Sequence, residues 1–148
     1  MLARELMTPN PSVITADDTM LKAAQMMRDN NVGMLPVVDT VKNRKLVGVI
    51  TDRDIVVRCV AEHHTPDCRV QAHMTSESLD AVGLDTDVKD VVTHMERDQV
   101  RRIPVLEDGG RVAGVIAQAD VAVRLGPTNA KIVEELVERI SSPGALTF

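Results

Sequence analysis

Apolar and polar positions along the 148-residue chain follow helical and strand periods in turn, and the same succession occurs twice. Met20, Ala23, Ala24 and Met27 fall at i, i+3, i+4 and i+7, one face of a helix. Val88, Val91, Val92 and Met95 hold the same places 68 positions later. A short β-branched run follows each helix, Leu35-Pro36-Val37-Val38 and Ile103-Pro104-Val105-Leu106, and predicts a strand. Proline there marks the strand's first residues or a sheet edge. Polar turns (Asp39 to Lys45, Glu107 to Gly110) lead into Leu46 to Ile50 and Val112 to Ile116, which complete hairpins. Second helices begin near Thr51-Asp52 and Gln118, and short strands around Val13-Ile14-Thr15 and Ala81-Val82 precede the first helices. Asp17 or Asp18, and Asp85, Thr86 or Asp87, offer oxygens to cap those first helices.

The letters repeat with the pattern. Met7-Thr8 returns as Met74-Thr75, Gly48-Val49-Ile50 as Gly114-Val115-Ile116, and Asp54 as Asp120. Each unit is β-α-β-β-α, and one of about 60 residues would be marginal alone. The predicted fold is therefore α+β, two repeats packed sheet to sheet with pseudo-two-fold symmetry, plus a C-terminal helix. The expected division is 1–60 for the first repeat, 61–73 for a linker, 74–125 for the second repeat and 126–148 for the helix and tail. Gly126-Pro127 breaks the preceding helix; the next, about Asn129 to Ile140, carries Ile132, Val133, Leu136, Val137 and Ile140. That stripe needs a groove or a second subunit to cover it. The tail Ser141-Ser142-Pro143-Gly144 reads as loosely held.

Composition narrows the function. With 44% apolar and 26% charged residues the chain is expected to fold as a globule. Acids outnumber bases 22 to 17, which argues against nucleic acid as a partner. There is no Trp or Tyr, and Phe148 is the one aromatic, so a bound base would sit between aliphatic side chains. No apolar run approaches the roughly 18 residues of a membrane span. The N-terminus, MLARELMTPNPS, lacks the apolar stretch of a secretory signal, so a cytoplasmic location and no membrane partner are expected. Two cysteines are too few for a disulfide scaffold.

The most informative segment is Gly48-Val49-Ile50-Thr51-Asp52-Arg53-Asp54, a strand end turning into a helix. Free backbone amides there favour an anion. The Asp54 carboxylate could accept from two neighbouring hydroxyls, as a ribose presents them, and Arg53 could meet a phosphate. The alternative is that Thr51 or Asp52 simply caps the helix.

The doubled Met-Thr, the Leu-Pro-Val-Val strand and the Gly-Val-Ile-Thr-Asp-Arg-Asp junction resemble a tandem CBS-domain pair, or Bateman module, over about Ala3 to Leu125. The terminal helix followed by Ser-Pro-Gly-Ala-Leu is similar to small actinobacterial members of a hypoxic-response type. The resemblance implies clefts between the repeats for adenosyl ligands such as AMP, ADP or ATP, and disc-like homodimers. Its pattern Gly-h-h-Thr/Ser-x-x-Asp assigns Asp54 to the ribose and Thr51 to ribose or phosphate. It also implies that Val32, Gly33 and Met34, with Val100, Arg101 and Arg102, line base and phosphate together with Ile14, Thr15, Ala81 and Val82. The second copy keeps Asp120 but has Ala117 where the hydroxyl belongs, so one full site and one weaker or vacant site are expected. Arg101 and Arg102 read either as an exposed basic pair or as phosphate contacts.

A second cluster, Cys59, His63, His64, Cys68 and His73, lies in the linker. Cys59 and His63 are one turn apart if the helix continues, and Cys and His suit zinc. The spacing fits no zinc-finger template, so no metal is assigned; Cys59, His63, His64 and Cys68 stand as candidate ligands beside a Cys59–Cys68 disulfide or an ordinary linker. No Gly-x-Ser-x-Gly or Walker loop is present, and His94 reads as a solvated or boundary residue. The expectation is a non-enzymatic sensor with an adenine nucleotide as regulatory ligand, no required cofactor, and an unidentified effector protein as partner. The rival is a structural or interaction protein that has lost the ligand, with a zinc site in the linker as a further option.

Overall fold

The computed structural model describes residues 1–140, the Ile140 side chain excepted; the tail from Ser141, including Phe148 and the Ser-Pro-Gly-Ala-Leu segment, lies outside the described residues. The elements in chain order are α1 (Ala3–Leu6), β1 (Thr8–Pro9), β2 (Ile14–Thr15), α2 (Met20–Asn30), β3 (Met34–Val38), β4 (Leu46–Thr51), α3 (Asp52–Asp54), β5 (Val82–Gly83), α4 (Val88–Asp98), β6 (Arg102–Glu107), β7 (Arg111–Ala117), α5 (Gln118–Leu125) and α6 (Ala130–Ile140). α3 continues as a π-helical stretch, Ile55–Val60. The class is α+β.

Contacts group the chain into two units. One holds Pro11–Leu79 with Asp108–Val112, around a sheet of order β2-β3-β4. Its core gathers Ile14, Met20, Ala23, Leu35, Val37, Ile50, Cys59 and Val70. The other holds Met1–Asn10, Asp80–Glu107 and the chain from Ala113, with a sheet of order β1-β7-β6-β5. Its core includes Leu6, Val91, Met95, Ile103, Ile116, Val121 and Leu136. In both units a parallel β-α-β crossover precedes a hairpin, as the two hydrophobic periods predict.

Each unit takes its Met-Thr segment from the other repeat. Thr8 pairs with Val115 and Pro9 with Gly114, while Thr75 exchanges two 2.9 Å backbone bonds with Val49. This explains the repeated glycine. A Cβ on Gly48 would stand 2.9 Å from both the Thr75 carbonyl oxygen and Met74 Sδ, and one on Gly114 would stand 2.9 Å from Met7 Cβ.

Three local expectations are corrected. Pro36 and Pro104 sit inside β3 and β6, which are central strands rather than edges. The register explains why this is tolerated: Val49, opposite Pro36, turns both backbone groups outward to Thr75. Pro36 likewise faces away from β4, where β2 pairs only with Val37 and Val38, so its missing N–H breaks no ladder bond. The first helix is capped by Thr19, whose oxygen accepts from Lys22 N–H at 3.1 Å, and not by Asp17 or Asp18. Asp18 is drawn back to β2, where Oδ2 accepts from Thr15 N–H at 2.9 Å and Thr15 Oγ1 at 3.0 Å. In the second copy Asp87 is the cap. Finally, most of the α6 stripe finds a groove within its own unit: Leu136 is fully buried, and Ile132 and Val133 pack on the same core, against α4 and α5, while Val137 stays 42% exposed. It therefore gives no separate argument for a second subunit.

Candidate functional site

β4 runs directly into α3, and the junction is closed by a reciprocal exchange. Asp54 N–H donates to Thr51 Oγ1 at 3.1 Å, and Thr51 N–H donates to Asp54 Oδ2 at 2.9 Å. This is a capping box, so Thr51 does cap the helix. Both side chains are buried, Thr51 at 4% and Asp54 at 2% exposure. The free amides expected here are not free. Asp52 N–H donates to the Gly33 carbonyl at 2.9 Å and Arg53 N–H to Asp52 Oδ1 at 2.9 Å, because β3 enters beside the junction with Met34 opposite Thr51. An anion at this end would therefore depend on the exposed Arg53 side chain rather than on unpaired backbone.

Hydrogen-bonding capacity remains. A carboxylate offers about four acceptor positions. Asp54 uses Oδ2 on Thr51, while Oδ1 lies 3.6 Å from Arg58 Nε. The Thr51 hydroxyl accepts from Asp54 and keeps its own proton to donate. Gly33 and Met34 are brought beside this pair, and Val32 is exposed next to them. Ile14 is fully buried in the core, and Thr15 is engaged with Asp18. Burial resists the Asp18 charge, but the bonds from Thr15 and Lys22 outweigh it and hold the carboxyl below its ordinary value.

The second unit repeats the frame with less chemistry. Gln118 N–H donates to the Arg101 carbonyl at 2.8 Å, the counterpart of Asp52 and Gly33, so Arg101 and Arg102 stand at the β7–α5 junction. Asp120 Oδ2 accepts from Ala117 N–H at 2.7 Å, but Ala117 has no oxygen to return the bond. Arg101 is exposed, Arg102, Val100 and Ala81 are half-buried, and Val82 is core.

The linker cluster is partly assembled. His64, Cys68 and His73 place one ligand atom each within 4.8 Å of one another. His63 is not among them, because the helix ends at Val60 and the π turn, with Cys59 O accepting from His64 N–H at 2.9 Å, brings His64 round instead. His64 Nδ1 and His73 Nε2 lie 3.3 Å apart, the spacing of roughly 3.3 Å that two nitrogens take on a tetrahedral zinc at about 2.0–2.1 Å from each. Burial holds the His73 imidazole below its ordinary value, with His64 and Arg58 adding to the effect. Cys59 is buried behind them, its Sγ 3.7 Å from the Thr65 carbonyl that Cys68 N–H also reaches, and burial raises its thiol. Both cysteines are free thiols. Arg58 joins the two groups, meeting Asp54 on one side and donating to the His73 carbonyl at 3.3 Å on the other.

A third constellation, Asp80, His94 and Asp98, escaped the sequence reading. His94 Nδ1 lies 2.7 Å from Asp80 Oδ1, so His94 is a bonded boundary residue. Burial pushes the Asp80 carboxyl above the ordinary range, and the facing Asp98 adds to the push. The i, i+4 spacing of His94 and Asp98 was a legible signal; Asp80, ahead of β5, carried none.

Among the described residues no helix is long and apolar enough to cross a membrane. The family model for the CBS domain matches residues 3–60 and 70–126. Hypoxic response protein 1 of Mycobacterium tuberculosis is 32% identical over 144 residues, covering 97% of this chain and 96% of that protein. A crystal structure of Hypoxic Response Protein I with two coordinated zinc ions matches with a TM-score of 0.75 at 30% identity, covering 84% of this chain and 99% of that one. The CBS domain pair of protein MJ0100, in complex with methylthioadenosine and S-adenosyl-L-methionine, matches with a TM-score of 0.74 at 25% identity, covering 87% and 98% of the two chains.

Proposed function

We propose that this chain, which belongs to the CBS domain family, is a non-catalytic regulatory protein that binds an adenosyl nucleotide at the Thr51/Asp54 junction. The observation that carries the reading is the buried Asp54 carboxylate, whose Oδ2 accepts from the Thr51 N–H while Oδ1, 3.6 Å from Arg58 Nε, keeps acceptor capacity for a ribose hydroxyl. Thr51 keeps a hydroxyl proton for the ribose or phosphate, and Arg53 supplies the positive charge. The adenosyl ligands of the MJ0100 pair support the ligand class. Asp120, without the Thr hydroxyl, makes the weaker site, with Arg101 and Arg102 as its phosphate contacts. The protein assembles as a homodimer through exposed valines, of which Val56, Val60 and Val123 are 59%, 63% and 74% exposed. It works in the cytoplasm, where free thiols such as Cys59 and Cys68 persist. An effector protein reads the bound state. The test is a thermal-shift screen with adenosine, AMP, ADP, ATP and S-adenosylmethionine. A ligand at 100 times its Kd adds about 2.7 kcal/mol of stability. A rise with at least one of them is expected, and no rise with any overturns the reading.

A second reading has its own observation. The His64, Cys68 and His73 donors have the composition and nitrogen spacing of a zinc site, with the Cys59 thiol close by, and the zinc ions of the Hypoxic Response Protein I structure support it. Zinc there would hold the segment after the π turn against the core. Metal analysis of tag-free protein is expected to find zinc that is lost on Cys68→Ser; metal-free protein overturns it.

A further inference from the structure

Asp80 stands just ahead of β5, and α4 presents His94 and Asp98 one turn apart, so three donors from two elements converge within one unit. Their ligand atoms lie within 4.8 Å of one another. The group is electrostatically incomplete. Among the described residues no donor serves the buried Asp80 Oδ2, the facing Asp98 carboxyl could bond to Asp80 only by holding a proton, and the Asp80 side chain is 12% exposed. An unpaired carboxylate oxygen out of water is costly, so something is expected to serve it. Arg97 does not. Its guanidinium lies 3.5 Å from Asp80 Oδ1 and 2.7 Å from Asp98 Oδ2, leaves Asp80 Oδ2 unserved, and belongs to a side chain 61% exposed that can turn away to solvent.

The internal repeat supplies a control. Shifted back by 68 positions, Asp80, His94 and Asp98 correspond to Ser12, Met26 and Asn30. The same β-α arrangement is built in the first copy with none of these donors, so the fold itself does not call for the cluster.

We propose that Asp80, His94 and Asp98 bind a divalent transition-metal cation, at a site separate from the His64, Cys68 and His73 group. Two carboxylates and a neutral imidazole balance the charge of a divalent ion. The donor set suits manganese, iron(II), cobalt or zinc; the imidazole disfavours calcium and magnesium, and the lack of sulfur disfavours copper(I). Three protein ligands leave positions for water. On binding, Asp80 Oδ2 gains its missing partner and Arg97 is released from Asp80.

Cobalt(II) and manganese(II) are the probes, applied to full-length, tag-free protein stripped with chelator. Cobalt at the linker group would show a thiolate charge-transfer band, whereas cobalt on carboxylates and imidazole would not. The background variant Cys68→Ser/His73→Ala removes the linker group, so the two sites fail independently. In that background one manganese or cobalt per chain is expected by calorimetry, without the thiolate band. Asp98→Asn and His94→Met install the first copy's own residues, which the same fold already accommodates. Each is expected to weaken the metal by no less than the roughly 10–100-fold that losing even an outer-shell partner costs. The proposal is overturned if the background variant binds neither ion at millimolar concentration, or if both substitutions leave the affinity unchanged. It is equally overturned if Asp80 and Asp98 prove only to share a proton, seen as a pH titration that added metal does not shift.

Discussion

Exchanging Thr51 and Ala117 between the two copies tests the capping chemistry against its own control. In the first copy the Asp54 amide has the Thr51 hydroxyl at 3.1 Å; in the second the Asp120 carboxylate still takes Ala117 N–H at 2.7 Å, but residue 117 returns nothing. Removing a Thr cap costs about 0.5–2 kcal/mol. Thr51 is 4% exposed, so Thr51→Ala strands an amide away from water and belongs near the upper end, a loss of about 1–2 kcal/mol. Ala117 is half-buried, where water already serves the amide in part, so Ala117→Thr is expected to gain about 0.5–1 kcal/mol. For a chain of this size each kcal/mol moves Tm by about 2–4 °C. Tryptophan and tyrosine are absent, so the assay is calorimetry or far-ultraviolet circular dichroism on ligand-free protein rather than fluorescence. The two sites belong to different units and, among the described residues, share no hydrogen-bond partner, so the effects should add in the double variant. An unchanged Tm for Thr51→Ala, or a lower one for Ala117→Thr, would refute the assignment of the hydroxyl as the cap.

Three further outcomes are expected. Gly48→Ala should destabilise by about 1–3 kcal/mol in chemical denaturation. Gly114→Ala should cost a similar amount, because its Cβ would meet the backbone-anchored Met7 Cβ at 2.9 Å much as that of residue 48 would meet the Thr75 carbonyl oxygen at 2.9 Å; unchanged stability in either variant would contradict this. Asp18 is held below the ordinary carboxyl value of 3.8, so the stability it contributes is complete above that value and is lost as pH falls through its lower folded value. Asp18→Asn should therefore narrow the stability gap between neutral pH and about pH 3, and an unaltered acid limb would count against the Thr15 and Lys22 bonds. Arg101→Glu should weaken nucleotides in order of phosphate number, and equal loss for adenosine and ATP would remove Arg101 from the phosphate role.

Much of this architecture is written in spacing. The i, i+3, i+4, i+7 faces beginning at Met20 and Val88 are buried as predicted, Ala24 only in part, and the Gly-Val-Ile runs became paired strands. What stayed hidden depends on contacts distant in sequence or on choices among near-equal neighbours. Thr19, Asp18 and Asp17 are all good caps, and the contest is settled by Thr15, which draws Asp18 away. The π turn over Ile55–Val60 has no residue signature, yet it decides that His64 and not His63 meets His73. The amides of α3 looked free because nothing local announces that Gly33 will lie beside Asp52. Asp80 was invisible for the same reason, whereas Thr51 and Asp54 were legible because their exchange is local, three residues apart.

Whether the Asp54 carboxylate holds an adenosyl ligand is decided by calorimetric titration of AMP and ATP into the parent protein and Asp54→Asn. The amide oxygen of the variant can still accept the Thr51 N–H, so the cap survives, and matching unfolding curves verify it. Losing a hydrogen bond to a charged group is worth about 1.5–3 kcal/mol. Binding to the parent protein is expected, with at least about tenfold weaker binding to the variant. Equal affinity for both proteins, with the cap intact, would contradict it.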